Sequence, residues 1–272
     1  MKTGSVEDHR GREKGALIYP VYSRRSGGLS VGINLFPDKK ICNFSCPYCE
    51  VFPFAEKAAF CTEQAVADLR SAVMSALNEK FPIRDLCFSG NGEPTLSPDF
   101  PRMLEKTIKI RDELVPQVPV VLITNGTGLL RSETFDLLKA GAKQGLRIWM
   151  KVDAGTREWL SIINRPHDAD FAVLTAAIKR FSQQAPFTVQ TMICKVDGAL
   201  PPAREEEAWI KFVTELAVPG NLELVQIYGK ARPSPMDPAA QEAEPEQLEK
   251  RAAVLREALE KNGCTVPVAV FI

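Results

Sequence analysis

The stretch "KKICNFSCPYCEVF", Lys39 to Phe52, gathers Cys42, Cys46 and Cys49 at spacings of four and three residues. It follows an apolar run, "GGLSVGINLFP", which enters through glycines, closes at Pro37 and reads as a strand. Three thiols so close together call for a soft metal. A closed structural zinc site takes four ligands, usually in two pairs. The chain has no second pair, and its only histidines are His9 and His167, of which His167 in "NRPHD" could reach the loop. The other choice for thiolates is an iron–sulfur cluster. On a four-iron cubane three thiolates leave one iron without a protein ligand, the open position that a catalytic metal keeps. The remaining cysteines, Cys61, Cys87, Cys194 and Cys264, lie far apart. That is not a disulfide framework, and burial in the core is expected of them.

Outward from the loop, the 272 residues are 45% hydrophobic and 25% charged, as in a chain that buries a sizeable core. Thirty-four basic and thirty-four acidic side chains cancel, so no global field favours nucleic acid or a membrane surface. "SRR" at Ser23–Arg25 and "DKK" at Asp38–Lys40 leave a local basic patch beside the cysteines. The polar start, "MKTGSVEDHRGREKG", lacks the apolar run of a secretory signal. No apolar stretch reaches the roughly 18 residues of a membrane helix. A cytoplasmic, reducing location is expected.

Six apolar runs alternate with helical patterns: "GGLSVGINLFP", "IRDLCFS", "VPVVLITNG", "LRIWMKVDAG", "FTVQTMIC" and "LELVQIYG". Such alternation predicts an α/β fold of parallel βαβ units with right-handed crossovers. By itself it fits an open doubly wound sheet as well as a barrel. The helix "TEQAVADLRSAVMSALNEK" should bury Val66, Leu69, Val73 and Leu77, with Thr62 as its N-cap. "SETFDLLKAG" should end at its glycine. Residues 1–28 read as an N-terminal extension, and 29–272 as one core closed by a C-terminal helix and a short apolar tail. "GKARPSPMDPAAQEAEPE" reads as a surface loop. Polar residues collect at the carboxyl ends of the strands, where both parallel architectures bind ligands: Asn91, Glu93, Thr124, Asn125, Lys151 and Asp153, with Gln190, Gln226 and Tyr228 inside strands.

The triplet Cys42-x-x-x-Cys46-x-x-Cys49, with Tyr48 before its last member, resembles the signature of the radical S-adenosylmethionine (SAM) superfamily. The resemblance implies a partial (βα)6 TIM-type barrel and a [4Fe-4S] cluster held by the three cysteines, with SAM chelating the unique iron. It implies reductive cleavage of SAM to a 5′-deoxyadenosyl radical that abstracts hydrogen, and an electron donor of flavodoxin or ferredoxin type. "SGNGEP" (Ser89–Pro94) is similar to the motif whose backbone and glutamate hold the methionine amino group. Gly90, Asn91, Gly92 and Glu93 are the matching positions. Glycines let the main chain approach a ligand, and a carboxylate suits an ammonium. By the same resemblance Tyr48, Thr124, Asn125, Lys151, Asp153 and Gln190 are expected around the cofactor.

"YPVYSRRSGGLSVGINLFPDKKICNFSCPYC", "VLITNGTGLL", "KVDAG", "INRP" and "VQIYGKARP" further resemble the wyosine-base-formation-like group of that superfamily. Its substrates are largely unassigned, so a small molecule or an RNA base is expected, with Arg24, Arg25, Arg165 and Gln226 as candidate substrate contacts. The alternatives are an activase that places a radical on a partner protein, and a metal-binding module without chemistry. No second cysteine group follows that would hold an auxiliary cluster.

Overall fold

The computed structural model describes residues 15–51 and 53–272. Residues 1–14, half of the expected extension and His9 with it, lie outside the described residues. The expected boundary at residue 28 falls inside a hairpin. Strand β1 (Ile18–Ser23) pairs antiparallel with β2 (Gly28–Asn34), from Ile18↔Ile33 to Ser23↔Gly28. It covers an edge whose Val31 and Ile33 are fully buried, and an uncovered apolar edge invites pairing with other chains.

The six expected strands all form: β2, β3 (Ile83–Ser89), β4 (Val120–Thr124), β5 (Leu146–Lys151), β6 (Phe187–Val196) and β7 (Leu222–Gly229). The fold divides into two compact units. The first holds the described part of Met1–Cys42, with Pro53–Thr124 and Ala140–Arg147; the second holds that of Asn43–Phe52, with Asn125–Lys139 and Ile148–Ile272.

In the first unit the strand order is β1-β2-β3-β4, with β2, β3 and β4 parallel. Helix α1 (Thr62–Asn78) joins β2 to β3 and buries Ala65, Leu69, Val73 and Ala76 at helical spacing. Leu77 is exposed, contrary to expectation, because Ala76 takes the inward position. Cys61, not Thr62, stands at the N-cap, and the Thr62 hydroxyl donates to Asp99 (3.3 Å). Helix α2 (Phe100–Leu114) sets Phe100 edge-on against Phe88 of β3, at 5.3 Å and 87°. Helix α3 (Ser132–Lys143) runs through Gly141 instead of ending there. A Cβ at Gly141 would stand 2.9 Å from the Leu146 side chain, so that glycine serves packing, and Gly145 (φ +84°) makes the left-handed stop.

Asp85 lies buried on β3, accepting from the Ser30 hydroxyl of β2. Burial pushes its carboxyl above the ordinary value, opposed by hydrogen bonds from Ser26 and Ser30 and the charges of Arg25 and Arg147. The folded state therefore holds this proton more tightly than the unfolded chain. The stability it contributes is present below about pH 4 and is lost as pH rises through the folded value. Urea midpoints across pH 3.5–7 should show Asp85→Asn gaining on the wild type as pH rises. A gap that is flat, or that moves the other way, would refute this assignment.

In the second unit the order is β5-β6-β7-β9, all parallel, with β9 (Val268–Phe271) formed by the short tail. Helices α4 (Arg157–Ile163), α5 (Phe171–Ser182), α6 (Ala203–Ala217) and α7 (Pro245–Lys261) connect the strands. Strand β8 (Ala240–Glu242), inside the expected surface loop, pairs antiparallel with the end of β6. Lys151, Gln190, Gln226 and Ala269 are register partners across β5, β6, β7 and β9 and form one row. Helix α6 comes so close to the end of β5 that a Cβ at Gly155 would stand 2.1 Å from Trp209 N. The Trp209 indole N–H donates to Val152 O (2.9 Å).

Candidate functional site

In the first unit the chain leaves β2 through Asn34, whose buried Oδ1 accepts from Phe36 N and Asn91 N, both at 3.1 Å. The segment entering the cysteine loop then pairs with the glycine motif. Ile41 N donates to Asn91 O (3.1 Å), and Glu93 N donates to Ile41 O (2.9 Å). A Cβ on Gly92 would stand 1.8 Å from Ile41 O, so the main chain itself fills the space of the missing side chain. Gly90 adopts φ +118°, and the Asn91 amide donates to Phe36 O (2.9 Å). The motif thus seats the strand that delivers Cys42.

Glu93 is buried, and its Oε1 accepts from Thr95 N (3.2 Å), Thr95 Oγ1 (2.7 Å) and Thr124 Oγ1 (2.7 Å). Three donors on one oxygen fix the carboxylate at the carboxyl ends of β3 and β4.

Arg24 and Arg25 lie elsewhere. They occupy the turn before β2, at the amino end of the parallel strands. Seven residues at about 3.3 Å each separate that turn from the loop end of β2 by roughly 20 Å.

In the second unit the loop from Asn43 onward is held by three segments. Asn43 donates to Thr127 Oγ1 (2.9 Å) and accepts from Asn125 Nδ2 (2.8 Å). Asn125 Oδ1 in turn accepts from Thr127 N (3.0 Å) and Oγ1 (2.7 Å). The Asn164–His167 segment pairs with the loop as a strand would. Ser45 N donates to Asn164 O (3.1 Å), His167 N donates to Asn43 O (3.0 Å), and Phe44 bridges Pro166. His167 does reach the loop, but at the Ser45 hydroxyl (2.8 Å) rather than a thiol. Arg165, half-buried, turns the chain out of α4 at φ +48°. The third segment is the loop after β7. Ser234 Oγ donates to Pro47 O (2.8 Å), and Arg232 grips Glu50 through Nε (2.6 Å) and Nη2 (2.8 Å).

A buried network joins this loop to the end of β5. Asp153 Oδ2 accepts from the Tyr48 hydroxyl and from Asn164 Nδ2 (2.8 Å). Its Oδ1 accepts from Met192 N (2.8 Å) and pairs with Lys151 Nζ (2.9 Å). Lys151 also donates to the Tyr228 hydroxyl, and its ammonium sits 4.9 Å and 4.6 Å from the ring centres of Tyr48 and Tyr228. Burial by itself would lower the Lys151 pKa. The charge of Asp153 and contact with Tyr228 outweigh it, and the ammonium is held above its ordinary value. Burial and then the Asp153 charge raise Tyr48, so the phenol stays a donor. Asn164 Nδ2 lies 3.4 Å from Cys46 Sγ, and burial pushes that thiol up to about 11. Gln190 donates to Gln226 (2.6 Å) one position along the strand row from Lys151.

The sequence reading placed Tyr228 with the strand-end polar residues but missed Asn34, Asn43, Glu50, Asn164, Arg232 and Ser234 as parts of this site. Only the "INRP" and "KARP" stretches gave a signal for any of them. Of the scattered cysteines Cys87 and Cys194 are buried, whereas Cys61 is exposed and Cys264 half-buried. Among the described residues no three His, Cys, Asp or Glu side chains converge as they would around one metal ion. Thiolates on a cubane bind separate irons and need no such convergence. No helix among those residues is long and apolar enough to cross a membrane.

Residues 39–194, over half the chain, match the model of the Radical SAM superfamily. A UPF0026 protein of Helicobacter pylori (strain ATCC 700392 / 26695) is 30% identical over 180 residues, covering 63% of this chain and 54% of that protein. The chain therefore spans about half the length of the curated relatives it matches. Streptococcus suis SuiB superposes with a TM-score of 0.65 at 12% identity, covering 91% of this chain and 51% of that one. A radical SAM methyltransferase from Sphaerobacter thermophilus gives 0.63 at 14%, covering 93% and 68%. At these identities the likeness shows the fold, which is α/β, of the partial TIM-type barrel kind that the cysteine and glycine motifs had implied.

Proposed function

Since the chain belongs to the radical SAM superfamily, we propose that it is an enzyme whose Cys42, Cys46 and Cys49 hold a [4Fe-4S] cluster. The superfamily's cofactors are that cluster and SAM, and together they supply a 5′-deoxyadenosyl radical, formed by reductive cleavage of the sulfonium, that takes hydrogen from a substrate.

The donor set fits the group. None of the three cysteines is in a disulfide and all are only partly exposed; Cys46 and Cys49 lie on Asn43–Phe52, whose backbone is fixed within its own unit. That clamped loop is the observation on which the reading rests. The part of the loop that carries Cys46 and Cys49, tied to Asn125, Asn164, Arg232 and Ser234, needs little reorganisation of its own to take its share of a cluster. Glu93, a buried carboxylate aligned by Thr95 and Thr124, is the proposed partner of the SAM amino group. Lys151 and Asp153 lock Tyr48 beside Cys49, and Tyr48 excludes water from that side of the thiolates. The Gln190–Gln226 pair supplies amides for a polar substrate group. The substrate we propose is a small molecule or an RNA base, the expectation carried by the resemblance to the wyosine-base-formation-like group, with reduction by a flavodoxin- or ferredoxin-type donor.

Anaerobic reconstitution of the full chain should give about four irons per chain. It should also give dithionite-dependent 5′-deoxyadenosine from SAM, which disappears in Cys46→Ala. One tightly held zinc and no nucleoside product would overturn the proposal.

A further inference from the structure

Asn164 meets a cysteine sulfur directly, as Tyr48 does beside it, and it offers that sulfur two different partners. Its amide Nδ2 lies 3.4 Å from Cys46 Sγ, an ordinary length for N–H···S, while its backbone carbonyl lies 3.6 Å from the same atom. A thiol can donate to the carbonyl; a thiolate can only accept, and then the amide is its partner. Asn164 therefore satisfies Cys46 in either protonation state without moving.

Its placement is fixed from several sides. Asn164 is buried and caps α4, with Asn164 N bonded to Leu160 O (3.0 Å) and Asn164 O accepting from Ser45 N (3.1 Å). The amide is aimed by Asp153 Oδ2 (2.8 Å) and by the Tyr48 oxygen (3.1 Å). Tyr48 itself donates to Asp153. The amide has two hydrogens for three acceptors, of which the Asp153 carboxylate takes one. The second is left to Cys46 Sγ and the Tyr48 oxygen. A hydrogen bond to a ligating sulfur withdraws charge from it and favours the reduced cluster.

We propose that Asn164 is a positioning residue that sets the reduction potential of the cluster, through its N–H···S contact with Cys46. The inference rests on the proposed [4Fe-4S] reading. Asp153 acts in the opposite sense electrostatically, and Asn164 stands between it and the sulfur. Removing the amide thus takes away a stabilising donor and exposes the sulfur to a carboxylate.

The test is a potentiometric titration of the reconstituted full chain, followed by electron paramagnetic resonance, for the wild type, Asn164→Leu and Asn164→Asp. Iron content and unfolding midpoint are measured alongside. At a fixed potential near the wild-type midpoint, the reduced-to-oxidised ratio should fall about tenfold in Asn164→Leu, equivalent to about 59 mV for one electron. In Asn164→Asp it should fall by at least as much. Variants with full iron and an unchanged midpoint would overturn the inference while leaving the cluster reading intact. Failure of the wild type to assemble four irons would instead sink that reading. Should neither variant hold a cluster, the wild type still decides. Electron–nuclear double resonance of protein labelled with 15N-asparagine should show a coupled side-chain 15N and an exchangeable deuteron at the cluster, and their absence would refute the contact.

Discussion

Asp153→Ala lowers the unfolding free energy of the metal-free chain by about 3–5 kcal/mol, the effect expected when one partner of a buried ion pair is removed. The carboxylate accepts from Tyr48, Asn164, Met192 N and Lys151, so its loss strands four buried donors, one of them an ammonium. Lys151 is then left between two aromatic rings with no counter-charge on Asp153's side. The size of the loss comes from desolvation rather than from Coulomb attraction. The double variant Lys151→Met/Asp153→Leu removes both charges and should recover a large part of the deficit. Denaturant titration of Asp153→Ala, of the single variants Lys151→Met and Asp153→Leu, and of the double variant measures this. A single-variant loss below about 1 kcal/mol, or a double variant worse than the sum of the singles, would contradict the assignment.

Gly92→Ala should be worse for the loop than any substitution of the thiols' immediate neighbours. The new methyl would overlap a backbone carbonyl, Ile41 O at 1.8 Å, which cannot swing aside as a side chain can. The two ladder bonds that flank it, Ile41 N to Asn91 O and Glu93 N to Ile41 O, must break to make room. Two backbone bonds at about 1 kcal/mol each, added to overpacking of about 1–3 kcal/mol, give a loss of roughly 3–5 kcal/mol. The segment that delivers Cys42 shifts with them, so iron content after reconstitution should fall well below the wild type. Gly90→Ala is the milder comparison. Its clash is with the Asn34 side chain at 2.8 Å, and its main burden is the strain of φ +118°. Equal iron content in Gly92→Ala and the wild type would refute the claim that Ile41 occupies the glycine's place.

The parallel strands were legible because each is a nearly continuous apolar run, the pattern of a sheet covered on both faces. β9 escaped notice because four residues of a short tail carry too little pattern. Thr62 looked like a cap from composition alone, yet only backbone geometry decides which residue stands outside the helix. The two glycines of "SGNGEP" could be read as room for a ligand, and Gly92 turned out to make room for the protein's own chain.

Arg24 and Arg25 are close to Cys42 in sequence, but an intervening extended strand carries the chain away from them. Apart from the "INRP" and "KARP" stretches, the anchors of the cysteine loop left no mark in the sequence, for the opposite reason. Asn164, Arg232 and Ser234 are single polar residues more than a hundred positions from the loop, and no local periodicity marks them.

The grip of Arg232 on Glu50 spans 182 residues of chain, and that of Ser234 on Pro47 spans 187. At about 5–20 residues per second, a ribosome releases Cys49 roughly 10–35 s before Arg232 exists to hold its neighbour. Throughout synthesis the thiols are thus on offer while the last clasp of their cradle is still unmade. Asn125 and Asn164 are made well before it, so the loop's fastenings close in the order in which their residues are synthesised, with Arg232 and Ser234 last.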